Sequence, residues 1–181
     1  MAPTLTTTRL QLRNFAASDA EGIERLLGDY EVAKYTARVP HPYPQGAAAK
    51  WIEHQASEYA DGRAINWAIM LRVQNQLVGS IGVCLASAQQ RGELGYWIGR
   101  PYWGSGIATE AVGAIIRFAF TELPLRRITA EHLARNPASG RVLAKNGLQL
   151  EGVLREHFVR DGAVHDVHSY GLLRSEWEAR P

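Results

Sequence analysis

The chain has little of several features that define large classes of protein. It contains one cysteine, Cys84, which excludes an internal disulfide, and no cysteine and histidine cluster has the spacing of structural zinc sites. No apolar run approaches the roughly 20 residues that span a bilayer, and the first residues lack the charged and apolar regions of a signal peptide. We therefore expect a cytoplasmic protein, with no membrane partner and with Cys84 packed in the interior.

Excess charge of either sign is also missing. Twenty basic and eighteen acidic side chains leave a net charge of +2, which is too small to indicate nucleic acid as a partner. A chain of 181 residues with 46% hydrophobic content can bury one core, and no repeat or linker divides it. We expect a single domain over residues 1–181, as a monomer or homodimer.

The order of the predicted elements indicates a mixed α/β fold. Apolar alternation predicts strands at residues 10–13, 65–73, 77–85, 93–98, 127–133, 150–160 and 164–173. Helical spacing predicts about four helices, which follow Asp19 and occupy residues 45–59, 107–123 and 138–145. Three prolines within residues 40–44 predict a loop, and Asp161-Gly162 predicts a hairpin turn. Parallel pairing is expected only across the helix after Gly106, since the other connections are short.

The glycine-rich turn at residues 103–109 is the clearest candidate for ligand binding. It follows a predicted strand and opens a helix, so free backbone N–H groups and the helix dipole favour an anion such as phosphate. Gly104 and Gly106 permit close approach of a ligand to the backbone. The turn lacks the lysine of a Walker A loop, and Thr109 stands where a dinucleotide-binding motif has its third glycine. By itself, the turn is also compatible with a simple helix entry.

The segment from Trp103 to Ala111 resembles motif A of the GNAT acetyltransferases, in the form of the RimJ/RimL branch. Gly106 and Ala108 match the last two positions of the pattern Gln/Arg-x-x-Gly-x-Gly/Ala, and Trp103 replaces its first residue. Further segments resemble the branch in the same order, at residues 8–13, 77–82, 95–98, 136–152 and 166–173. The resemblance implies the GNAT fold: a mostly antiparallel mixed sheet of six to seven strands with about four helices, splayed at the central strands to admit CoA.

The resemblance also implies acetyl-CoA as cosubstrate and assigns its contacts. The backbone amides of the turn would hold the pyrophosphate, the strand before it would pair with pantetheine, and motif B would line the thiol end. The residues implied in CoA binding are Tyr96, Trp97, Ile98, Trp103, Gly104, Ser105, Gly106, Ile107, Ala108, Thr109, Asn136 and Ser139.

For catalysis, the resemblance implies direct attack of a neutral amine on the thioester. The motif B tyrosine that many members use as the acid is Leu143 here, so Ser139 is the nearest substitute, with capping of a helix or binding of CoA as its alternative roles. Glu93 is the first candidate for the base, with an exposed strand carboxylate as its alternative role. The branch can instead place a carboxylate in the strand after motif B, where this chain has Phe158 with Glu156 and His157 nearby, so the base stays open. Glu110 is expected to act on the helix N-terminus.

The acceptor is expected to meet Tyr43, Trp67, Asp166 and His168. For Asp166 and His168, a structural hydrogen-bond network is the alternative. His165 and His168 cannot chelate a metal together, because residues three apart on a strand point to opposite faces, and no metal is expected.

The sequence therefore predicts an acetyl-CoA-dependent N-acetyltransferase. Its acceptor is expected to be a primary amine, in the first place a protein or peptide N-terminus. A small amine such as an antibiotic, a polyamine or an amino acid remains an alternative acceptor. A CoA-binding module without activity is an alternative from a different class of protein.

Overall fold

The computed structural model describes residues 1–37, 39–160 and 162–180. Its strands are β1 Leu5–Thr6, β2 Leu10–Arg13, β3 Ala64–Leu71, β4 Gln76–Ala86, β5 Arg91–Ile98, β6 Arg127–Leu133, β7 Gln149–Arg160 and β8 Ala163–Leu173. They form one sheet in the order β1-β2-β3-β4-β5-β6-β8-β7. Strands β2 to β8 confirm the seven predicted segments, and the eighth is the two-residue β1, which is too short to show alternation.

All neighbouring strands pair antiparallel except β5 and β6. This confirms the prediction that the single parallel pair lies across the helix after Gly106. A parallel pair needs a crossover, and that helix is the connection between the two strands. The strand at the far edge, β7, pairs only with β8.

The described residues form six α-helices, two of which are single turns. They are α1 Ala20–Leu27, α2 Tyr30–Ala33, α3 Ala47–Ala60, α4 Ile107–Glu122, α5 Pro137–Lys145 and α6 Arg174–Glu178. The four longer helices confirm the prediction. The short helices α2 and α6 were not predicted, because four or five residues are too few to show helical periodicity.

Hydrophobic clusters lie on both faces of the sheet. Helices α4 and α5 cover the larger cluster, in which Trp67 packs edge-on against Phe118 with ring centroids 5.4 Å apart. Helices α1 and α3 cover the smaller cluster on the opposite face. In α4, residues such as Ala111, Val112 and Ile115 are buried, as their spacing predicts. The centre of the sheet is therefore packed between helices on both faces.

Cys84 and the hairpin turn at residues 161–162 are two local features with sequence-based predictions. Cys84 is exposed, not buried, because it follows Val83 in β4 and points to the face opposite the α4 cluster, near the end of the strand. Of the predicted hairpin turn, Asp161 lies outside the described residues, and Gly162 has a left-handed φ of 75°. No helix among the described residues is long and apolar enough to cross a membrane.

Candidate active site

A gap between β5 and β6 defines the centre of the site. The two strands pair from Arg91 with Arg127 to Leu94 with Ala130, and both strands then continue without pairing to each other. The Gly99 amide donates to the carbonyl of Val78 on β4, at 2.8 Å. Backbone groups alternate along an antiparallel strand, so those of Ile98 and Tyr96 face the gap instead of β4. The gap thus offers the Ile98 N–H and the main-chain groups of Tyr96 to an extended ligand with amides of its own, whereas the Ile98 carbonyl accepts from the Trp103 indole.

The N-terminus of α4 lies at one end of the gap. Gly104 and Gly106 have φ values of 73° and 80°, a region that L side chains rarely adopt. The first internal bond of the helix runs from the Glu110 amide to the Gly106 carbonyl, at 3.0 Å. The amides of Ile107 to Thr109 precede it and point out of the helix end. A Cβ on Gly104 would meet no protein atom within 4 Å, so it would extend into the space available to phosphate.

Glu110 anchors this turn to the start of the chain. Its carboxylate accepts hydrogen bonds from the Thr7 hydroxyl at 2.6 Å, the Arg9 amide at 2.9 Å and Arg9 Nε at 2.7 Å. Arg9 Nη1 also donates to the Ser105 carbonyl, at 2.8 Å. Burial raises the pKa of Glu110, but the bonds from Thr7 and Arg9 outweigh it and lower that pKa below its ordinary value. The expected action of Glu110 at the helix N-terminus is therefore structural.

A cavity of about 520 Å³ connects the gap with the glycine turn and the start of α5. Eleven of the twelve residues implied in CoA binding line it, and Ser105 is the exception. Arg141 and Lys145 contribute positive charge from α5. Trp103 donates from its indole nitrogen to the Ile98 carbonyl at 2.7 Å, which fixes the turn against the end of β5.

Ser139 lies in the first turn of α5. Asn136 caps the helix, and its side-chain oxygen accepts from the Ser139 amide at 3.3 Å. The Ser139 hydroxyl lies 2.8 Å from the hydroxyl of Tyr96, which reaches across from β5. Burial raises the pKa of Tyr96 to about 12, although the bond with Ser139 works against the shift. Tyr96 therefore keeps its proton at neutral pH.

Glu131 contributes a carboxylate that the sequence analysis did not consider. It follows Ala130 on β6, immediately after the last paired position, and it lines the cavity with an exposed side chain. The register sets it across the gap from Gly95, where an added Cβ would meet no protein atom within 4 Å. Its proximity to motif B, five residues before Asn136, was the signal available in the sequence.

His132 lies next to Glu131 but points to the opposite face of the sheet. Only 7% of it is exposed, and its Nδ1 donates to the Leu133 carbonyl at 2.8 Å. Nε2 has no hydrogen-bond partner in the described part of the chain, and a Cβ on Gly140 would stand 2.8 Å from it. Burial and the nearby His168 lower the pKa of His132, against the effect of the Leu133 bond. The ring is therefore neutral and carries a lone pair on Nε2.

Glu93, the predicted base, does not line the cavity. It is exposed on β5 and pairs with Cys84 on one side and Thr129 on the other, one residue before β5 and β6 separate. It shares a sheet face with Glu131, but lies on the closed side of the gap. Proton transfer from an amine in the gap to Glu93 would therefore need a bridging water.

The four residues predicted for the acceptor also lie outside the cavity lining. Trp67 is fully buried in the α4 cluster and donates to the Pro3 carbonyl at 2.8 Å, so the structure makes it a core residue that a substrate does not reach. Tyr43 packs on the smaller cluster of α1 and α3. Asp166 accepts from the Glu156 amide at 2.8 Å, bracing an irregular part of β7. His168 packs against His132, with ring centroids 5.0 Å apart.

The cavity is also lined by a segment that carried no motif. Val32, Tyr35 and Thr36 come from α2 and the turn after it. Arg135 holds this segment by donating to the Lys34 carbonyl, and Arg160 donates to the Thr36 carbonyl at 3.1 Å. No sequence pattern pointed to these residues, because their position depends on contacts between distant parts of the chain.

Comparison with known proteins agrees with this geometry. The family model described as "Acetyltransferase (GNAT) domain" matches residues 9–149. The N-acetyltransferase YoaA of Bacillus subtilis, itself uncharacterized, is 35% identical over 175 residues, which is 96% of this chain and 98% of YoaA. The ribosomal-protein-serine acetyltransferase of Escherichia coli is 30% identical over 105 residues, 58% of this chain and 59% of that protein. The chain belongs to the GNAT acetyltransferase family, and the predicted membership is confirmed.

Among solved structures, RimL, a ribosomal L7/L12 α-N-protein acetyltransferase in complex with coenzyme A, superposes with a TM-score of 0.88. The two chains are 20% identical over 96% of this chain and 99% of RimL, which shows a shared fold. The protein is therefore an acetyl-CoA-dependent N-acetyltransferase. The donor fits the site: the α4 amides suit its pyrophosphate, and the open β5 edge suits its two pantetheine amides.

Proposed function

We propose that the protein transfers acetyl from acetyl-CoA to the α-amine at a protein or peptide N-terminus. The observation that supports this most is that Glu131 is the single carboxylate among the described residues lining the cavity. One carboxylate can hold one ammonium group, which suits an α-amine. A polyamine carries several cations and would be held better by several carboxylates.

The resemblance to ribosomal-protein acetyltransferases supports the same acceptor. The E. coli relative acts, by its name, on ribosomal-protein serine, and RimL acts on the α-amine of ribosomal L7/L12. The residues that follow an N-terminus need room outside the cavity. The exposed side chains of Glu93 and Glu131 lie on a face of β5 and β6 that could admit them.

In the proposed reaction, Glu131 takes a proton from the incoming ammonium, directly or through water. The neutral amine then attacks the thioester carbon across the gap, and the attacking nitrogen loses its second proton to water as the amide forms. The Ile98 N–H, which faces the gap, holds the developing oxyanion. The C–S bond breaks with its electron pair on sulfur, and a donor near Ser139 supplies the proton that completes CoA.

An acceptor panel tests this function. Release of CoA from acetyl-CoA is followed with a thiol reagent, using peptides that begin with Ala, Ser or Met. Matched peptides with a blocked N-terminus and an internal lysine serve as controls, beside spermidine and free amino acids. We expect turnover that depends on the free α-amine. Turnover with small amines alone would refute the proposed acceptor.

A small aromatic amine is the second candidate. Tyr35 and Trp103 both line the cavity, with ring centroids 6.2 Å apart. Such a pair can pack against a flat ring. Including aromatic amines in the same panel separates this candidate from the first.

A further inference from the structure

Tyr96 brings a hydroxyl to the cavity of a chain that lacks the motif B tyrosine of many family members. At the position of the motif B tyrosine, the chain has Leu143, which is 1% exposed and belongs to the core. The hydroxyl of Tyr96 instead arrives from β5, on the opposite side of the gap, and meets Ser139 at the start of α5. Both residues line the cavity.

Tyr96 has one proton and two neighbouring acceptors on Ser139, the hydroxyl at 2.8 Å and the carbonyl at 3.4 Å. Either oxygen can donate in the contact between the two hydroxyls. We consider the arrangement in which Tyr96 donates across this shorter contact. If Tyr96 donates to Ser139, the Ser139 proton is left to point elsewhere, and the cavity is the space beside it. The Ser139 hydroxyl is then a donor aimed by its neighbour.

Histidine is a poor alternative as the donor in this part of the cavity. The Nδ1 proton of His132 is engaged with the Leu133 carbonyl, so in the neutral ring Nε2 has no proton to give. His132 is also largely buried, which favours that neutral form.

We propose that Tyr96 orients the Ser139 hydroxyl and restores its proton, so that the pair protonates the departing CoA thiolate. This inference rests on the proposed transfer reaction, whatever the acceptor. In this proposal Ser139, which lines the cavity, is the catalytic residue that gives its proton to sulfur, and Tyr96 is the positioning residue that acts through it.

The proton balance of the step is closed. As the C–S bond breaks, sulfur takes the Ser139 proton, and Ser139 Oγ takes the Tyr96 proton. The tyrosinate recovers a proton from solvent, which balances the proton that the attacking nitrogen loses to water as the amide forms. The proton that the base took from the ammonium is the one released per turnover. With a pKa of about 12, Tyr96 is a strong base in this state, so it is neutral again before the next turnover.

The test uses Tyr96→Phe, Ser139→Ala and the double variant, with Tyr59→Phe as the matched control on α3. Tyr59 is partly buried against the same cluster and does not line the cavity. We expect Tyr96→Phe to lower kcat about 10- to 100-fold, with KM and the Kd for acetyl-CoA changed less than about two-fold. The double variant should lose no more than Ser139→Ala alone, because the two residues act as one unit.

Two readouts separate proton delivery from a shape effect. The solvent deuterium isotope effect on kcat should change in Tyr96→Phe, while 3-fluorotyrosine at position 96 should retain activity and shift the alkaline limb of the kcat profile to lower pH. Retained kcat in Tyr96→Phe, losses that multiply in the double variant, or a fall in kcat matched by lost CoA affinity would each overturn the proposal.

The slow hydrolysis of acetyl-CoA is measured in parallel, because it expels the same thiolate with water as the acceptor. If no amine is accepted, the proposed function fails. The Tyr96→Phe effect on hydrolysis still decides this inference, since a hydrolysis rate that is the same in wild type and variant overturns it.

Discussion

Glu93 and Glu131 lie on the adjacent strands β5 and β6, and Glu131 is two residues beyond Thr129, the partner of Glu93. They share a face of the sheet, but β5 and β6 are still paired beside Glu93 and have separated at Glu131. A base must come within hydrogen-bond reach of the proton it removes, directly or through one water. At the scale of single residues, the strand register therefore favours Glu131.

Glu131→Gln should lower kcat/KM for the acceptor about 100-fold, because the variant keeps the shape and loses the base. Glu93→Gln, the matched control, should stay within about two-fold of wild type. Initial rates between pH 6 and 9 are the measurement. A larger loss in Glu93→Gln than in Glu131→Gln would return the role to Glu93.

The sequence could predict which residues line the cavity where a local motif places them, and it missed lining residues whose position depends on register. Gly104, Gly106 and Asn136 belong to short patterns whose geometry is set within a few residues. Glu131 and Tyr35 reach the cavity only because distant strands and helices meet there. Trp67 shows the same limit, since a strand aromatic carries no local sign of the face that it packs on.

Among the elements, α4 is fixed at both ends by charged side chains from elsewhere in the chain. At its N-terminus, Glu110 joins the helix to Thr7 and Arg9. At its C-terminus, the Arg174 guanidinium donates to the carbonyls of Phe120, Leu123 and Leu125. Contacts within the protein thus fix both ends of the helix that is expected to hold phosphate.

The Glu110 anchor predicts an acid-dependent loss of stability. Its pKa is lowered in the folded protein, so the carboxylate stabilises the fold above the unfolded-state pKa of about 4.3, and the effect is lost as pH falls through the folded value. Glu110→Gln should therefore reduce the free energy of unfolding at pH 7 by about 1 kcal/mol and flatten its pH dependence below about pH 4.5. Urea unfolding across this pH range measures both, and an unchanged acid limb would contradict the prediction.

The Arg174 clamp predicts a larger effect on stability. Arg174→Ala removes donors from three carbonyls at the end of α4, and we expect a loss of about 2–3 kcal/mol in the free energy of unfolding. Arg117→Ala, on the exposed side of the same helix, should cost less than about 0.5 kcal/mol. Thermal and urea unfolding of both variants are the measurements. Equal losses would show that the clamp contributes nothing specific.

At the element scale, the predictions from sequence were accurate for long periodic segments. Helix α4 was predicted from its apolar spacing, and β7 and β8 from their alternation on either side of a turn. The missed elements, β1, α2 and α6, have between two and five residues. Their formation depends on tertiary contacts instead of local pattern.

At the scale of the whole molecule, we expect acetyl-CoA to stabilise the folded protein by binding to it. Acetyl-CoA at about 100 times its Kd should stabilise the native state by about 2.7 kcal/mol and raise Tm by several degrees. Gly106→Trp should abolish the shift, because a side chain at φ 80° is strained and its Cβ already lies 3.3 Å from Arg9 Nη2, beside the expected phosphate site. Gly152→Trp, on the exposed edge strand β7, should keep it. Differential scanning fluorimetry measures the rise in Tm with acetyl-CoA for each variant. A full rise in Gly106→Trp would contradict this assignment of the phosphate site.

The open edge of β5 has a consequence for how such proteins diverge. A donor that pairs with main-chain amides makes few demands on the identity of the side chains, because every residue except proline offers the same groups. Mutation can then replace most of the surrounding sequence while the fold persists, as the TM-score of 0.88 at 20% identity with RimL illustrates. The side chains around such a donor site are then free to change under selection for other properties.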